Sequence, residues 1–555
     1  GEGDEGDKPG FISSLFNKET PTPVPTQTPE PTPTPVPSFS PGAISGTTPG
    51  DFGLEEAIEA GGAQTTGYTR AEPIDFYQGD KYTELPGVIG FRGNNFRDSA
   101  AYGTVDFTGT ASEPWTFSVG SLSKMYGEGS WTGCGWTGQP LIVKWPQETK
   151  RIMNLYEKAK NDPDLVEVIY ATMDGHIYFL NLYTGEKTRD AINMGYPFKG
   201  AGALDPRGYP LMYVGSGDIS LIDGKILYEF GAGDGFSLRG LSYFDSSALV
   251  DAETDTLIYP GESGILYTIK LNTQYDQSAG SISIAPETVK WRYKGTRSNS
   301  TATKDGSEGW WLGVEDSVII WRGHAIFTDN GGHMICLDLN TLKAVWVQDT
   351  LDDTNCTPVL SLEGPDQHPY VYTSTSFHPG WRAGANSTAL IPIWKIDAVT
   401  GQIVAKNEDY HCQTIAEPSQ VSGGVQGTLA LGKNDLEGLI FVPIAMTEGM
   451  KGKLVAFNTA DLSVKWECDF AGYPWSSPVA VYDANGKGYL IQCNKSGYIH
   501  LIDGQTGTII NEMSLGSNIE ASPAVYNNMA VVGTRGGLIY GVDLNYLKNY
   551  VKPAA

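Results

Sequence analysis

The sequence predicts an all-β fold, an eight-bladed β-propeller of four-stranded antiparallel blades. Three observations carry that expectation. A β-rich unit recurs along the chain, it recurs at the length of one blade, and its last copy lacks a fourth strand that a segment far upstream can supply.

The unit is a β-rich run, a glycine turn, an alternating run ending in Asp or Asn, a turn often containing Thr-Gly, and a last run that can carry Trp. Its best copies are VIYATMDGHIYFLNLYTGEKT (168–188), AIFTDNGGHMICLDLNTLKAVW (325–346), GYLIQCNKSGYIHLIDGQTGTII (488–510) and AVVGTRGGLIYGVDLNYLK (530–548). Looser copies lie at 256–272 with 289–295, and at 439–466. A short one falls at 211–230, and one with an expanded turn at 370–404. The turn glycines permit positive φ between paired strands, and the later Asp or Asn can hydrogen-bond the backbone of the next turn. From Gly452 to Gly497 is 45 residues and from Gly497 to Gly537 is 40, a blade period.

Closure is the third observation. A propeller abolishes its free edges by joining last blade to first. The final copy ends near Asn549 without a Trp-bearing strand, whereas EPWTFSVG (113–120) places Trp115 in the context of Trp291, Trp346 and Trp466. Strand 113–120 is therefore expected to complete the eighth blade, with 113–549 as the propeller, 51–112 as an irregular extension packing on it and 550–555 as a short tail.

Composition agrees with many short strands: of 555 residues 68 are glycine, and 11% are aromatic. The 38 basic and 64 acidic residues leave a net charge of −26, which repels phosphate backbones and argues against nucleic acid. The cysteines at 134, 336, 356, 412, 468 and 493 form no CxxC pair and read as buried thiols. No apolar run is long enough to span a membrane. Residues 20–49 alternate Pro with Thr, which holds the chain near polyproline II, and the acidic GEGDEGDKPG before them is equally unable to bury a core. Residues 1–50 thus read as a disordered tether, its anchor expected upstream of Gly1, on an extracytoplasmic protein at a bacterial cell surface.

The pattern DGxIYxLxxxTG…W resembles the repeat of the pyrroloquinoline-quinone (PQQ) dehydrogenase-like propellers, a family that includes a lipoprotein scaffolding outer-membrane protein assembly. The likeness spans about residues 113–545 and implies a propeller in which the recurring Trp docks one blade on the next. A catalytic member would hold calcium on carboxylate and amide oxygens, with an Asp base, a Trp floor under the quinone and a vicinal Cys-Cys pair. No Cys-Cys pair occurs here. Asp245, Glu315, Asp316, Glu520, Asn355 and Gln426 fall near the starts of inner strands and could offer oxygens to a hard cation, but without the family's local motifs. No cofactor is therefore expected, with calcium or PQQ as the alternative.

Other catalytic signatures are absent: no GxSxG, HExxH or P-loop occurs. His176, His333 and His500 lie in the third strand just after or near the turn glycine, a recurring placement that reads as structural. The glycine clusters of DNGGHM and GTRGGL read as hairpin turns.

Loops from outer strand to next inner strand, and from second to third strand, open on one face of a propeller. That face collects the enlarged connections 296–313 with Trp310 and Trp311, 376–388 with His378, Trp381 and Arg382, and 406–424 with Tyr410 and His411. Trp131, Trp136 and Trp475 fall at the starts of two inner strands near the same face. Exposed aromatics beside polar groups suit a protein or carbohydrate ligand, while the structural alternative has them cap the channel. FRGNNFRDSAAYG (91–103) is expected as an irregular cover. The sequence thus reads as a monomeric binding or interaction scaffold, the alternative being a quinoprotein oxidoreductase or glycan-active enzyme.

Overall fold

In the computed structural model, residues 26–29, 36–136, 138–238, 243–295, 310–379, 382 and 388–554 are described, without the side chains of Trp310 and Trp311. The chain divides into two units, 1–38 and 39–555.

The larger unit is the eight-bladed propeller, and each repeat copy supplies one blade. Blade 1 comprises Leu141–Val143, Glu167–Ala171, His176–Asn181 and Ile192–Asn193; blade 2 Ala203–Leu204, Leu211–Val214, Gly217–Ser220 and Ile226–Glu229. Blade 3 comprises Leu249–Asp251, Thr256–Pro260, Ile265–Lys270 and Glu287–Gly295; blade 4 Ile319–Trp321, His324–Thr328, His333–Asp338 and Lys343–Asp349. Blade 5 is Val359–Glu363, His368–Thr373, Ile393–Asp397 and Ile403–Asn407; blade 6 is Ala430–Leu431, Leu439–Ala445, Gly452–Asn458 and Val464–Phe470. Blade 7 is Val479–Tyr482, Gly488–Cys493, Tyr498–Asp503 and Ile509–Ser514. Blade 8 takes Ala524–Tyr526, Met529–Gly533 and Leu538–Asp543 from the C-terminal copy and Trp115–Ser118 from upstream, pairing Ile539 with Phe117 and Gly541 with Trp115. The expected closure is thus present.

The recurrence of Thr-Gly and Trp has one cause. The Trp of an outer strand donates its indole N–H to a turn carbonyl of the next blade: Trp115 to Leu182 (2.7 Å), Trp346 to Ala398 (2.8 Å) and Trp466 to Gly504 (2.9 Å). The ring lies against the glycine of that turn. A methyl on Gly185, Gly401 or Gly507 would sit 2.5, 2.6 or 2.4 Å from the indole, and all three glycines have positive φ. Blade 4 carries Leu342 at this turn position, and there Trp291 of blade 3 donates instead to Glu56 (2.9 Å). Turns are closed as expected by the Asx side chain, Asn181, Asp397 and Asp503 each accepting the N–H two residues on.

The N-terminal part of this unit departs from the expected boundaries. Packing begins at Phe39, not near residue 50: Gly42 N donates to Val399 O, Thr47 Oγ1 to Thr400 O, and Val347 N to Thr47 O. Glu55–Ala60 then adds a fifth strand to the outer edge of blade 3, pairing Ile58 with Trp291.

Residues 87–102, which include most of the expected irregular cover at 91–103, pack on the propeller. They form a hub that bonds to every blade. Gly87–Val88 pairs with the inner strand of blade 1, and Ile89 O accepts from Leu204 N of blade 2. Arg97, wholly buried, donates to Ser247 O of blade 3 (2.8 Å), Val318 O of blade 4 (2.9 Å) and Phe91 O (2.8 Å). Phe96 O accepts from Leu360 N of blade 5, Asp98 pairs with Lys433 of blade 6 at 3.1 Å, and Arg92 donates to Pro478 O of blade 7 at 2.6 Å. Ala101–Tyr102 runs parallel to the inner strand of blade 8. A buried backbone needs partners, and in the hub the inner strands and the segment satisfy each other.

Candidate ligand-binding site

A partial ring of hydroxyls precedes the inner strands of blades 3 to 8. Ser247 N donates to Ser317 Oγ, Ser317 N to Thr357 Oγ1, Thr357 N to Thr428 Oγ1, Thr428 N to Ser477 Oγ and Ser477 N to Ser522 Oγ, all between 2.8 and 3.0 Å. Ser522 N donates to Gly138 O, ahead of blade 1. Each link joins one blade to the next, so the positions just ahead of the ring are held rigidly. The signal was in the sequence as a recurring Ser or Thr before the inner strands of blades 3 to 8 (SALV, SVII, TPVL, TLAL, SPVA, SPAV), but it shows only when the strand starts are aligned.

Ahead of this ring lies a cavity lined by Trp136, Asp245, Asp316, Asn355, Gln426 and Trp475, with Phe91 of the hub among its walls. Trp136 and Trp475 meet edge to face, centroids 6.4 Å apart at 62°, and the Trp475 indole N–H is held by Ser422 O at 3.1 Å. Asn355 Nδ2 donates to Gln426 Oε1 at 3.0 Å, and both side chains are buried. Asp316 accepts from Thr328 N at 3.2 Å and from its hydroxyl; burial outweighs these bonds and raises its carboxyl well above the usual range. At the same mouth, carboxyl oxygens of Asp245, Glu262 and Glu315 lie within 4.8 Å of one another. Burial works to lower the Lys199 ammonium, but these three carboxylates outweigh it and keep its pKa above the ordinary value. Lys199 also stands 4.2 Å over the Tyr243 ring and 5.6 Å over Trp131.

Trp136, Trp475, Asn355 and Glu315 thus meet at the mouth. Other expected residues do not join them. Arg382 is not an exposed contact. Its guanidinium donates to Asp352 Oδ2 (3.1 Å), Leu390 O (2.6 Å) and Ser376 O (2.7 Å), and so ties the enlarged loop to its own base. His378 N donates to the same Asp352 (3.3 Å). Tyr410 is buried, its hydroxyl on Glu467, whereas His411 is exposed. Trp310–Trp311 pairs with Lys294 and Gly295. Glu520 accepts from Asn518 at 3.1 Å and lies 3.8 Å from Arg535. Trp381 lies outside the described residues, as does most of 376–388 and 296–313. One surface element went unread in the sequence, the hairpin Ser121–Ser123 with Ser130–Thr132, whose tip exposes Met125 and Tyr126 at 85% and 87%.

No protein-family model and no curated protein sequence matches this chain. Solved structures do. It is similar to quinohemoprotein alcohol dehydrogenase ADHIIG from Pseudomonas putida HK5, at 12% identity and TM-score 0.54, over 85% of this chain and 82% of that one. The quinohemoprotein alcohol dehydrogenase of Comamonas testosteroni gives 12% identity and TM-score 0.52 over the same shares. BamB from Moraxella catarrhalis gives 17% identity and TM-score 0.43, over 68% of this chain and 93% of that one. The fold is that of the quinoprotein propellers. At these identities the likeness is one of fold alone.

The cavity does not fit the quinone that the fold class implies. Room for the centre of a water-sized sphere is about 10 Å³, space for about one water and far less than a tricyclic cofactor needs. All six cysteines are buried free thiols with no vicinal pair to cover a cofactor. Hard oxygen donors are gathered at Asp245, Glu262 and Glu315, with the ammonium of Lys199 already beside them.

Proposed function

We propose that this protein is an extracytoplasmic, tethered binding scaffold whose ligand engages the mouth around Trp136 and Trp475. The observation that carries this reading is the hub: residues 87–102 bond to every blade, and the cavity lined by Phe91, Trp136 and Trp475 leaves space for about one water, which suits a surface contact more than an enclosed reactive centre. The hydroxyl ring supports it, because a rigid, blade-to-blade frame lowers the entropy lost on binding. The Pro/Thr tail is of the kind that spaces a domain from a surface. Among the described residues no helix is long and apolar enough to cross a membrane.

The test is retention of glycans, wall fragments and surface-protein peptides on the immobilised full chain. The Trp136→Ala/Trp475→Ala double variant should weaken whatever is retained by at least about tenfold, the scale of a lost aromatic hot spot. A parallel titration with PQQ and calcium would overturn the scaffold reading if it gave a stoichiometric absorbance change and dye-linked alcohol oxidation.

A further inference from the structure

Three buried polar atoms in the wall of the mouth cavity have no hydrogen-bond partner: Asn355 Oδ1, Gln426 Nε2 and Asp316 Oδ1. Asn355 and Gln426 spend their other amide atoms on each other, so the pair presents one acceptor and one donor side by side. Reversing both amides would leave the same complement, one donor and one acceptor. Buried polar groups are almost always satisfied, so three such atoms around one cavity call for an occupant. The free space admits a single small group. A cation would face the Gln426 N–H, and an anion would face Asn355 Oδ1. A hydroxyl accepts from Gln426 Nε2 and from Asp316, whose burial favours the protonated carboxyl, and donates to Asn355 Oδ1.

The carrier of that hydroxyl lies against the indoles. With its N–H held by Ser422, Trp475 offers only apolar ring, and at 62° to Trp136 it forms an angled apolar cleft over the cavity. A pyranose ring has an apolar C–H face that packs on an indole and hydroxyls around its edge. The Asp245, Glu262 and Glu315 oxygens at the same mouth would accept further hydroxyls, and they disfavour phosphorylated or uronic sugars. Phe91 of the hub lies among the walls, so a glycan would enter by its end. Resting on the reading that this mouth is the binding face, we propose that it recognises the terminal residue of a neutral glycan, one sugar hydroxyl inserting between Asn355, Gln426 and Asp316.

The probes are glucose, galactose, mannose and N-acetylglucosamine with their neutral oligosaccharides, galacturonate and calcium as contrasts, read on the full chain by tryptophan fluorescence and calorimetry. A neutral sugar should bind saturably and galacturonate at least tenfold more weakly. The Asn355→Leu/Gln426→Met variant removes the unmatched pair; it should keep or raise the melting temperature and lose at least tenfold in sugar affinity, as a structural pair would not. Equal sugar binding by that variant, or a cavity filled by calcium with no sugar effect, overturns the inference. If neutral sugars fail but a peptide is retained and lost in the Trp136→Ala/Trp475→Ala variant, the glycan inference falls and the scaffold reading stands. If nothing is retained, both fall.

Discussion

Trp466 and Gly507 are locked face to face across the junction of blades 6 and 7: the ring covers a glycine at φ 76°, and a methyl there would lie 2.4 Å from it. The same pairing recurs for Trp115 on Gly185 and Trp346 on Gly401. Gly507→Ala should therefore combine positive-φ strain with a ring clash, costing about 2 kcal/mol or more. Gly224→Ala, also at positive φ but 3.5 Å from the nearest atom of Ile192, should cost only about 1 kcal/mol. Thermal denaturation of the two variants checks the difference, and equal costs would remove the docking argument.

The two hub arginines should behave differently. Arg97 satisfies three carbonyls, one each from the hub, blade 3 and blade 4, so Arg97→Met leaves buried acceptors unmatched and should cost about 3–5 kcal/mol. Arg92 reaches Pro478 O, while its Nε and Nη1 have no partner and burial lowers its pKa to about 9. Arg92→Met should then cost under about 1 kcal/mol, because the buried charge it removes is poorly compensated. Chemical denaturation of both variants decides it; a larger loss from Arg92→Met would contradict this account.

His500 sets an acid limit. It is buried against Phe470, centroids 4.8 Å apart, with Glu512 at 3.7 Å, and burial pushes its imidazole down to about 4 from the ordinary 6.5. Between those values the unfolded chain binds the proton and the folded chain does not, so stability falls as pH drops from 6.5 and the loss is complete below 4. The shift corresponds to about 3 kcal/mol. His500→Leu should flatten that part of the stability–pH curve, measured by urea titration at pH 7, 5.5 and 4.

Asp218 acts in the opposite direction. It is wholly buried on the strand Gly217–Ser220 of blade 2, neither carboxyl oxygen has a hydrogen-bond partner, and burial raises its pKa well above the ordinary range. Raised above its unfolded value, it contributes stability below pH 4 that is lost as pH climbs. Asp218→Leu should be stabilising at pH 7, by about 1 kcal/mol or more, and less so at pH 4. Destabilisation at pH 7 would show that the carboxyl has a role in the fold.

Blade number and closure were legible because each blade repeats the same local chemistry, a glycine hairpin and an Asx turn, and because Trp115 stands out as a fourth strand without neighbours. The hub was not. Residues 87–102 have no period, and Arg97 is held through backbone carbonyls at 247 and 318, groups that every sequence possesses. Arg382 misled for the same reason: an arginine in a polar insertion reads as exposed until Asp352 and two carbonyls are seen to hold it. At the mouth, Trp136 and Asn355 were found by their strand-start positions, but the Asn355–Gln426 pair joins two blades and is visible only in three dimensions.

The hub also dictates an order of assembly. Residues 87–118 are made before any blade, yet their partners include Leu360, Pro478, Val525 and Ile539, which are made late. Gly87–Val88 can pair with blade 1 at once, but Ala101–Tyr102 and Trp115–Ser118 must wait through more than four hundred residues of chain for their strand partners. Blades 1 to 7 can form hairpins as they emerge, but no wheel can close and no axle can seat until the eighth arrives. Loss of even the final hairpin, 529–543, would strand the closing strand Trp115–Ser118 and take Val525's neighbours from the hub, so a nascent chain stopped there remains open at its rim and at its centre together.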